Sequence, residues 1–244
     1  MDFARNAGAP STRMNSSASI VSIFEKGISR IEEMISQPPL TFRETTDGVM
    51  IVNTAAGPLG GDRLELRITV KDQSYLTLGG VAASMALPGA PGTGYSRSDI
   101  FVTLGENSTL IWRPQPMILA HGSHHKQFIH INACASSKFI YGDAFQFGRH
   151  KEETGRIEQN ISIEIDGVLQ LKQSTDINPS DDWLEAFTLA HSRSFSSYIT
   201  HGLDVENTNE FTEFNLENGI LIYQNIGHLV SPELMSSSGQ SLVF

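Results

Sequence analysis

The chain has 244 residues, with 17 lysines and arginines against 27 aspartates and glutamates, which gives a formal net charge of −10. This acidic balance argues against nucleic acid or an anionic membrane as a main partner, because both repel a negative surface. Cys134 is the single cysteine, which excludes an intrachain disulfide and a cysteine-based zinc cluster and favours a reducing, cytoplasmic location. No segment approaches the roughly 20 apolar residues that span a bilayer.

The N-terminal part of the sequence predicts a tail followed by a helix. Residues 1–16 contain no apolar segment of a secretory signal, and we expect them to form a disordered tail before a single domain over 17–244. Apolar residues recur at helical spacing over 20–35, which predicts a helix that Pro38 and Pro39 end. The apolar stripe of this helix would face either the core or a partner.

After Pro39 the apolar period changes from 3.6 to 2, which is typical of strands. Residues 79–94 are rich in Gly, Ala and Pro and predict a long loop, 105–107 a tight turn, Asp166-Gly167 a hairpin turn, and 181–190 a second helix. Strands are predicted at 50–52, 64–70, 75–78, 100–104, 109–113, 127–133, 138–147, 161–165, 168–172 and 220–226. The pattern therefore predicts a mainly β, mainly antiparallel domain with one or two helices.

Motifs of common enzyme classes are missing from the sequence. It contains no Gly-x-Ser-x-Gly nucleophile motif, no P-loop and no dinucleotide-binding glycine motif. His121, His124, His125 and His130 are grouped, and imidazole suits Zn, Cu and Ni. Because neighbours on a strand point to opposite faces, His124 and His125 are poorly placed to share one metal ion. A metal-dependent hydrolase and ordinary surface histidines both remain open for this group.

Three runs, of which the first and third contain glycine, follow one another in the sequence. The first run is Asn53–Leu64, the second is Trp112–Leu119 and the third is Gly142–Arg149. Together, and in this order, they resemble the urease accessory protein family UreD, also called UreH. Residues that match the family and that we expect to be structural are Asn53, Gly57, Gly60, Gly61, Arg63, Pro114, Gln115, Gly148 and Arg149.

The resemblance implies a scaffold and not an enzyme. Proteins of this family bind apo-urease and, through a helical UreF-like partner, recruit a UreG-like GTPase that carries nickel. Nickel(II) would pass through the scaffold transiently, and no tightly bound cofactor is implied. The family fold is a mainly β, solenoid-like stack of strands with two helices.

A passage for a divalent ion must bind it weakly enough to release it, and scattered carboxylates meet this need better than a closed His and Cys cage. We therefore expect Asp62, Asp143 and Glu152 to relay nickel. The alternative for Asp62 is a turn carboxylate that caps backbone N–H groups, and the alternative for Asp143 is a salt bridge to an arginine. A β domain that binds a sugar or another small molecule, without a role in urease maturation, is the alternative function.

Overall fold

Two β-sheets that pack face to face enclose the core of the protein. The computed structural model describes residues 13–180, 189–190, 192–203 and 211–227. The strands are β1 (Asn15–Glu25), β2 (Ile28–Ile35), β3 (Leu40–Thr45), β4 (Gly48–Asn53), β5 (Arg63–Val70), β6 (Tyr75–Gly80), β7 (Ser84–Ala86), β8 (Ser96–Leu104), β9 (Thr109–Arg113), β10 (Met117–Leu119), β11 (His124–Ala133), β12 (Lys138–Phe147), β13 (Arg156–Ile165), β14 (Val168–Ile177), β15 (Ser194–His201), β16 (Thr212–Asn215) and β17 (Ile220–Ile226).

The centre of each sheet is parallel and its margins are antiparallel. The first sheet has the order β14-β13-β11-β8-β5-β1-β2, and β1, β5, β8, β11 and β13 run parallel. The second sheet has the order β16-β17-β15-β12-β9-β6-β4-β3, with β4, β6, β9 and β12 parallel and with β10 and β7 added beside β12. The prediction of a mainly antiparallel domain is therefore wrong for the centre, and the stack is solenoid-like.

Three four-residue turns carry the chain from the first sheet to the second. They are Lys71–Ser74, Gly105–Ser108 and Cys134–Ser137, and each ends in a serine that is at most 1% exposed. In every turn the serine Oγ donates to the carbonyl of the first turn residue, at 2.7 to 2.8 Å. The predicted turn at 105–107 is confirmed, but it joins strands of different sheets. This is why successive strands stack in parallel instead of forming hairpins.

The core consists of apolar rows that run across the first sheet. Strand register aligns inward side chains of β5, β8, β11 and β13, and each row meets large side chains of the second sheet, among them Leu78, Leu110 and Phe139. The rows are Leu66–Ile100–Ile129–Ile161, Ile68–Val102–Ile131–Ile163 and Val70–Leu104–Ala133–Ile165. Burying one such side chain stabilises the fold by roughly 1.5 to 3 kcal/mol.

The predicted helix over 20–35 is wrong, because this segment forms the β1–β2 hairpin. Lys26 and Gly27 have φ values of 53° and 84°, the geometry of a two-residue turn that matches strand twist. Ala18, Ile20 and Ser22 are buried at alternate positions of β1, so the burial pattern has the period of 2 that is typical of a strand. Isoleucines fit this pleated surface better than a helix because they branch at Cβ.

Several other predictions can be compared with the structure. The strands 109–113, 138–147 and 220–226 have the predicted bounds, and Asp166-Gly167 turns β13 into the antiparallel β14. The predicted loop over 79–94 contains the short strand β7. Residues 181–188 of the second predicted helix and 1–12 of the predicted tail lie outside the described residues. Within the described ranges the structure has no helix, and hence none that could span a membrane.

Candidate functional site

The three runs meet at one end of the molecule, around a cavity between the two sheets. Each run contains part of a segment that leads from the second sheet back to the first, and these return segments lie where β5, β11 and β13 begin. The cavity has a volume of about 130 Å³, which is room for about four water molecules. Residues of the runs in its wall are Asn53, Ala55, Gly57, Pro58, Leu64, Trp112, Pro114, Gln115, Met117 and Asp143.

The cavity connects the surface with the interior. Asn53 and Gln115 in its wall are exposed, whereas Trp112 is 3%, Tyr141 2% and Asp143 7% exposed. Trp112 Nε1 is buried and has no hydrogen-bond partner. A buried donor of this kind needs water or a ligand in the cavity.

The glycines of the first run allow the loop to pack directly on a neighbouring loop. A Cβ at Gly60 would lie 2.6 Å from the carbonyl oxygen of Gly94 and 2.7 Å from the nitrogen of Gly89, too close for any side chain. Gly61 has a φ of +97°, which side chains rarely allow. The predicted structural role of both residues agrees with this close backbone approach.

Asp62 holds the first run against the start of β1. Its carboxylate is 2% exposed, and it accepts hydrogen bonds from the backbone N–H groups of Met14 at 3.0 Å and Leu59 at 2.9 Å. These are the contacts of the capping alternative, and Asp62 lies outside the cavity wall. Arg63 donates to the carbonyls of Asp62 and Tyr95 and lies over the Tyr95 ring, so its contacts are structural.

Asp143 lies in the cavity wall on β12 and has only neutral hydrogen-bond donors around it. Tyr141 Oη donates to Oδ2 at 2.8 Å, the N–H of Ala144 donates to Oδ1 at 2.9 Å, and Gln159 Nε2 donates to Oδ2. The salt bridge to an arginine, the alternative for Asp143, is not found among the described residues. Burial raises the pKa of Asp143 to about 6, although all three hydrogen bonds lower it.

The residues around Asp143 form a polar layer across the core. Ser98, Gln127 and Gln159 occupy one inward row of the first sheet, next to the row that begins with Leu66. Gln159 bridges Asp143 and Gln127, with 3.3 Å between Gln159 Nε2 and Gln127 Oε1. The polar layer, defined as Ser98, Gln127, Asp143 and Gln159, separates two apolar clusters.

Sequence reasoning missed Tyr141, Gln127 and Gln159. The signal for the glutamines was present, because each stands two positions before an isoleucine of an alternating strand, as in Gln127-Phe128-Ile129 and Gln159-Asn160-Ile161. A polar residue in the inward phase of a strand marks a gap in the apolar core.

Glu152 and Arg149 lie away from the cavity wall and pair with each other. The guanidinium of Arg149 is bidentate, with Nε 2.7 Å from Oε2 and a terminal nitrogen 2.6 Å from Oε1 of Glu152. This hydrogen-bonded pair lowers the pKa of Glu152 to about 2. Gly148 has a φ of +76°, and a Cβ there would lie 2.6 Å from the Glu152 carbonyl oxygen, so the third run needs a glycine at this turn.

The histidine group is dispersed over different surroundings. His124 Nε2 pairs with Glu158 at 2.8 Å and His130 Nδ1 with Ser162 Oγ at 2.8 Å, both outside the core, whereas His125 is completely buried. Within the described ranges, no group of three or more His, Cys, Asp or Glu side chains is placed to hold a metal ion. The described part of the chain therefore offers no metal site for the metal-dependent hydrolase that was one alternative for this group.

Comparisons with known proteins agree with the three runs. The family model described as UreD urease accessory protein matches residues 15–224. Urease accessory protein UreD 2 of Saccharopolyspora erythraea is 33% identical over 127 residues, which cover 52% of this chain and 44% of that protein. Urease accessory protein UreD of Streptomyces coelicolor is 32% identical over 134 residues, which cover 53% of this chain and 52% of that protein.

The alignments with these curated relatives span about half of their length, whereas the family model extends from the start of β1 into β17. All three runs lie inside the matched range, together with both sheets and the cavity between them. Sequence runs, fold and family model thus agree, and the chain belongs to the UreD family of urease accessory proteins.

Proposed function

We propose that this protein is a non-catalytic scaffold in urease maturation and that nickel(II) passes through the cavity between its sheets on the way to apo-urease. The observation that carries the proposal is the position of the three runs around one cavity between the sheets, with Asp143 in its wall. The family assignment supports the role in maturation. The nickel ion is cargo in this proposal.

The chemistry of the cavity suits a transient ion. At neutral pH Asp143 supplies a negative charge inside a largely apolar core, since its pKa of about 6 leaves it mostly ionised. The Gln127 amide oxygen and water can complete an oxygen shell. Oxygen ligands of this kind hold nickel less tightly than thiolates and imidazoles in a closed site, so the ion can leave.

The partners in this proposal are a UreF-like accessory protein, a UreG-like GTPase recruited through it, and the apo-urease subunits, all in the cytoplasm. Support comes from the names of the relatives, which are urease accessory proteins. Large apolar side chains at the protein surface, such as Ile28 at 63% and Val168 at 60% exposure, are also consistent with contacts to other proteins.

Replacing Asp143 tests the passage directly. In cells that produce urease and all accessory proteins, Asp143→Ala should leave the complex intact while nickel per urease and urease activity fall at least tenfold. The measurements are co-purification of the complex and metal analysis of the purified urease. Asp99→Ala is the matched control, because Asp99 pairs with Arg97 on the outer face of the first sheet. Full nickel loading with Asp143→Ala would contradict the proposal.

Asp62 and Glu152 complete the proposed set of relay acids, and the same assay ranks them. Nickel would have to displace two backbone N–H groups from Asp62 or the Arg149 guanidinium from Glu152. We therefore expect Asp62→Ala and Glu152→Ala to lower nickel loading less than Asp143→Ala does. If Asp62→Ala lowers only the melting temperature of the complex, Asp62 is structural.

The alternative of a small-molecule-binding domain has less support. Pockets for drug-sized ligands have volumes of roughly 300 to 1,000 Å³, and the cavity at the three runs has about 130 Å³. This space admits water and ions more readily than a sugar.

A further inference from the structure

His125 is a buried polar side chain that the fold does not fully satisfy. It is 0% exposed, and its Nδ1 lies 2.9 Å from Ser96 Oγ. Its Nε2 is buried and has no hydrogen-bond partner. Buried ring nitrogens normally have a partner, so the free Nε2 points to a group that binds there.

The position of His125 continues the polar layer by one row. On β11 it stands two residues before Gln127 and on the same inward side, about 7 Å along the strand. Its neighbours in register are Ser96 on β8 and Ile157 on β13. At the end of this line Ser123 is 4% exposed, and its Oγ is also buried without a partner.

The ring is set up as a nitrogen ligand. A neutral imidazole carries one N–H group and one lone pair, and the one hydrogen bond found for the buried ring joins Nδ1 to Ser96 Oγ. When Nδ1–H donates to Ser96 Oγ, the lone pair resides on Nε2. A metal-binding histidine commonly has this arrangement, in which a hydrogen bond at one nitrogen orients the other.

We propose that Nε2 of His125 binds the divalent ion in transit and forms a second transient binding site beside the polar layer. This inference rests on the proposed function, and it adds a nitrogen donor to a path otherwise made of oxygen atoms. Imidazole favours borderline ions such as Ni²⁺, Co²⁺ and Zn²⁺ over Mg²⁺ and Ca²⁺. His125 would therefore help the passage to select transition metals.

The test is nuclear magnetic resonance of the full chain, labelled at histidine and bound to an unlabelled UreF-like protein that keeps it in solution, with Ni²⁺ or Co²⁺ as paramagnetic probes. One equivalent of the ion should broaden the His125 ring signals, and a hundredfold excess of Mg²⁺ should not restore them. His125→Gln should weaken Ni²⁺ binding at least tenfold in equilibrium dialysis. His130→Gln is the matched control, since His130 is also on β11 and also bonds a serine Oγ, but on the outer face.

A second variant keeps the ring and removes its orienting group. Ser96→Ala should shift the ¹⁵N resonances of His125 towards a mixture of tautomers and weaken Ni²⁺ binding, whereas Ser162→Ala, at the partner of His130, should not. Unchanged His125 signals with Ni²⁺, or unchanged affinity in folded His125→Gln, would overturn the inference and leave Nε2 to a water molecule. If His125 binds Ni²⁺ but Asp143→Ala still gives fully loaded urease, the proposed function fails and the new site stands.

Discussion

Two buried aspartates of this protein have opposite surroundings. Asp62 accepts two backbone N–H groups and fastens a loop, whereas Asp143 faces a tyrosine, an amide and a glutamine within the core. A carboxylate that closes a loop contributes to folding, but a charge buried among neutral donors costs free energy. Asp143 is thus the residue at which the proposed function and the stability of the fold conflict.

The pH dependence of stability should reveal this conflict. Burial raises the pKa of folded Asp143 to about 6 from an ordinary 3.8. Between these values the folded chain binds a proton that the unfolded chain has released, so the free energy of unfolding falls as pH rises through the window. The loss amounts to about 3 kcal/mol, at 1.36 kcal/mol per pKa unit.

Asp143→Asn cannot titrate, so its stability relative to the unsubstituted protein should rise by about 3 kcal/mol between pH 3 and pH 7. Urea unfolding at several pH values measures the difference, and Asp99→Asn serves as the control at a paired surface carboxylate. Parallel curves for Asp143→Asn and the unsubstituted protein would show that Asp143 does not carry this burial cost.

Residues of the site could be predicted only where they belong to a recognisable run. The first and third runs led to Asp62 and Asp143, and the cavity wall contains Asp143 but not Asp62. Tyr141, Gln127 and Gln159 come together through the pairing of β11 with β13 and the packing of one sheet on the other. Such contacts depend on register, which a single sequence does not define.

At the scale of elements, the serine-ended turns determine the topology. Each turn is four residues long, and its last residue is a buried serine whose hydroxyl closes the turn. The first N–H of a turn also bonds to the last residue of the neighbouring strand in the first sheet, as Gly105 N does to the Val70 carbonyl and Cys134 N to the Leu104 carbonyl. A strand of the first sheet, its serine-ended turn and the next strand of the second sheet form one coil of the stack. These bonds hold one coil in register with its neighbour.

Removing one of these hydroxyls should weaken the stack measurably. Ser108 is 0% exposed, and its Oγ donates to the Gly105 carbonyl at 2.8 Å. Ser108→Ala should lower the free energy of unfolding by about 1 kcal/mol, the typical net value of one hydrogen bond. Ser19→Ala on the outer face of β1 should change it by less than about 0.5 kcal/mol. Equal effects of both variants in urea unfolding would contradict this role of the turn serine.

Elements with strong alternation were predictable, and their arrangement was not. Strands such as 109–113 and 138–147 follow from their own residues, because packing and local period agree there. The apolar residues of segment 20–35 fit both the helical period and the strand period. The segment forms strands because β1 pairs with β5. Likewise, the sequence at 105–107 predicts a turn but does not distinguish a hairpin from a crossing between sheets.

At the scale of the molecule, exposed apolar side chains occur at both ends of the stack. The serine-ended turns and the tips of the β1–β2 and β13–β14 hairpins share the end opposite the cavity. Five exposed apolar side chains lie near this end, namely Phe24, Ile28, Tyr75, Val168 and Leu169, while Leu59 and Val81 are exposed near the cavity. Exposed apolar groups of this size favour association of the free chain.

We therefore expect the chain to be poorly soluble when expressed alone and soluble when co-expressed with a UreF-like protein. Val168→Thr with Leu169→Thr should raise the soluble fraction of the lone chain, because both side chains are more than half exposed. Leu59→Thr, a change at the end that contains the cavity, is the control. The soluble fraction after centrifugation is the measurement, and no gain over the control would contradict this expectation.

The asymmetry of the connections has a consequence for how members of such a fold can diverge. The three crossings that end in a buried serine have four residues each, so a longer crossing there would break the stacking of adjacent strands. The return segments differ in length, with 15 residues from Val81 to Tyr95 and eight from Gly148 to Gly155. Insertions are therefore tolerated in the return segments, which lie at the end of the molecule where the cavity opens. The opening can be reshaped for a new partner while the coils behind it stay unaltered.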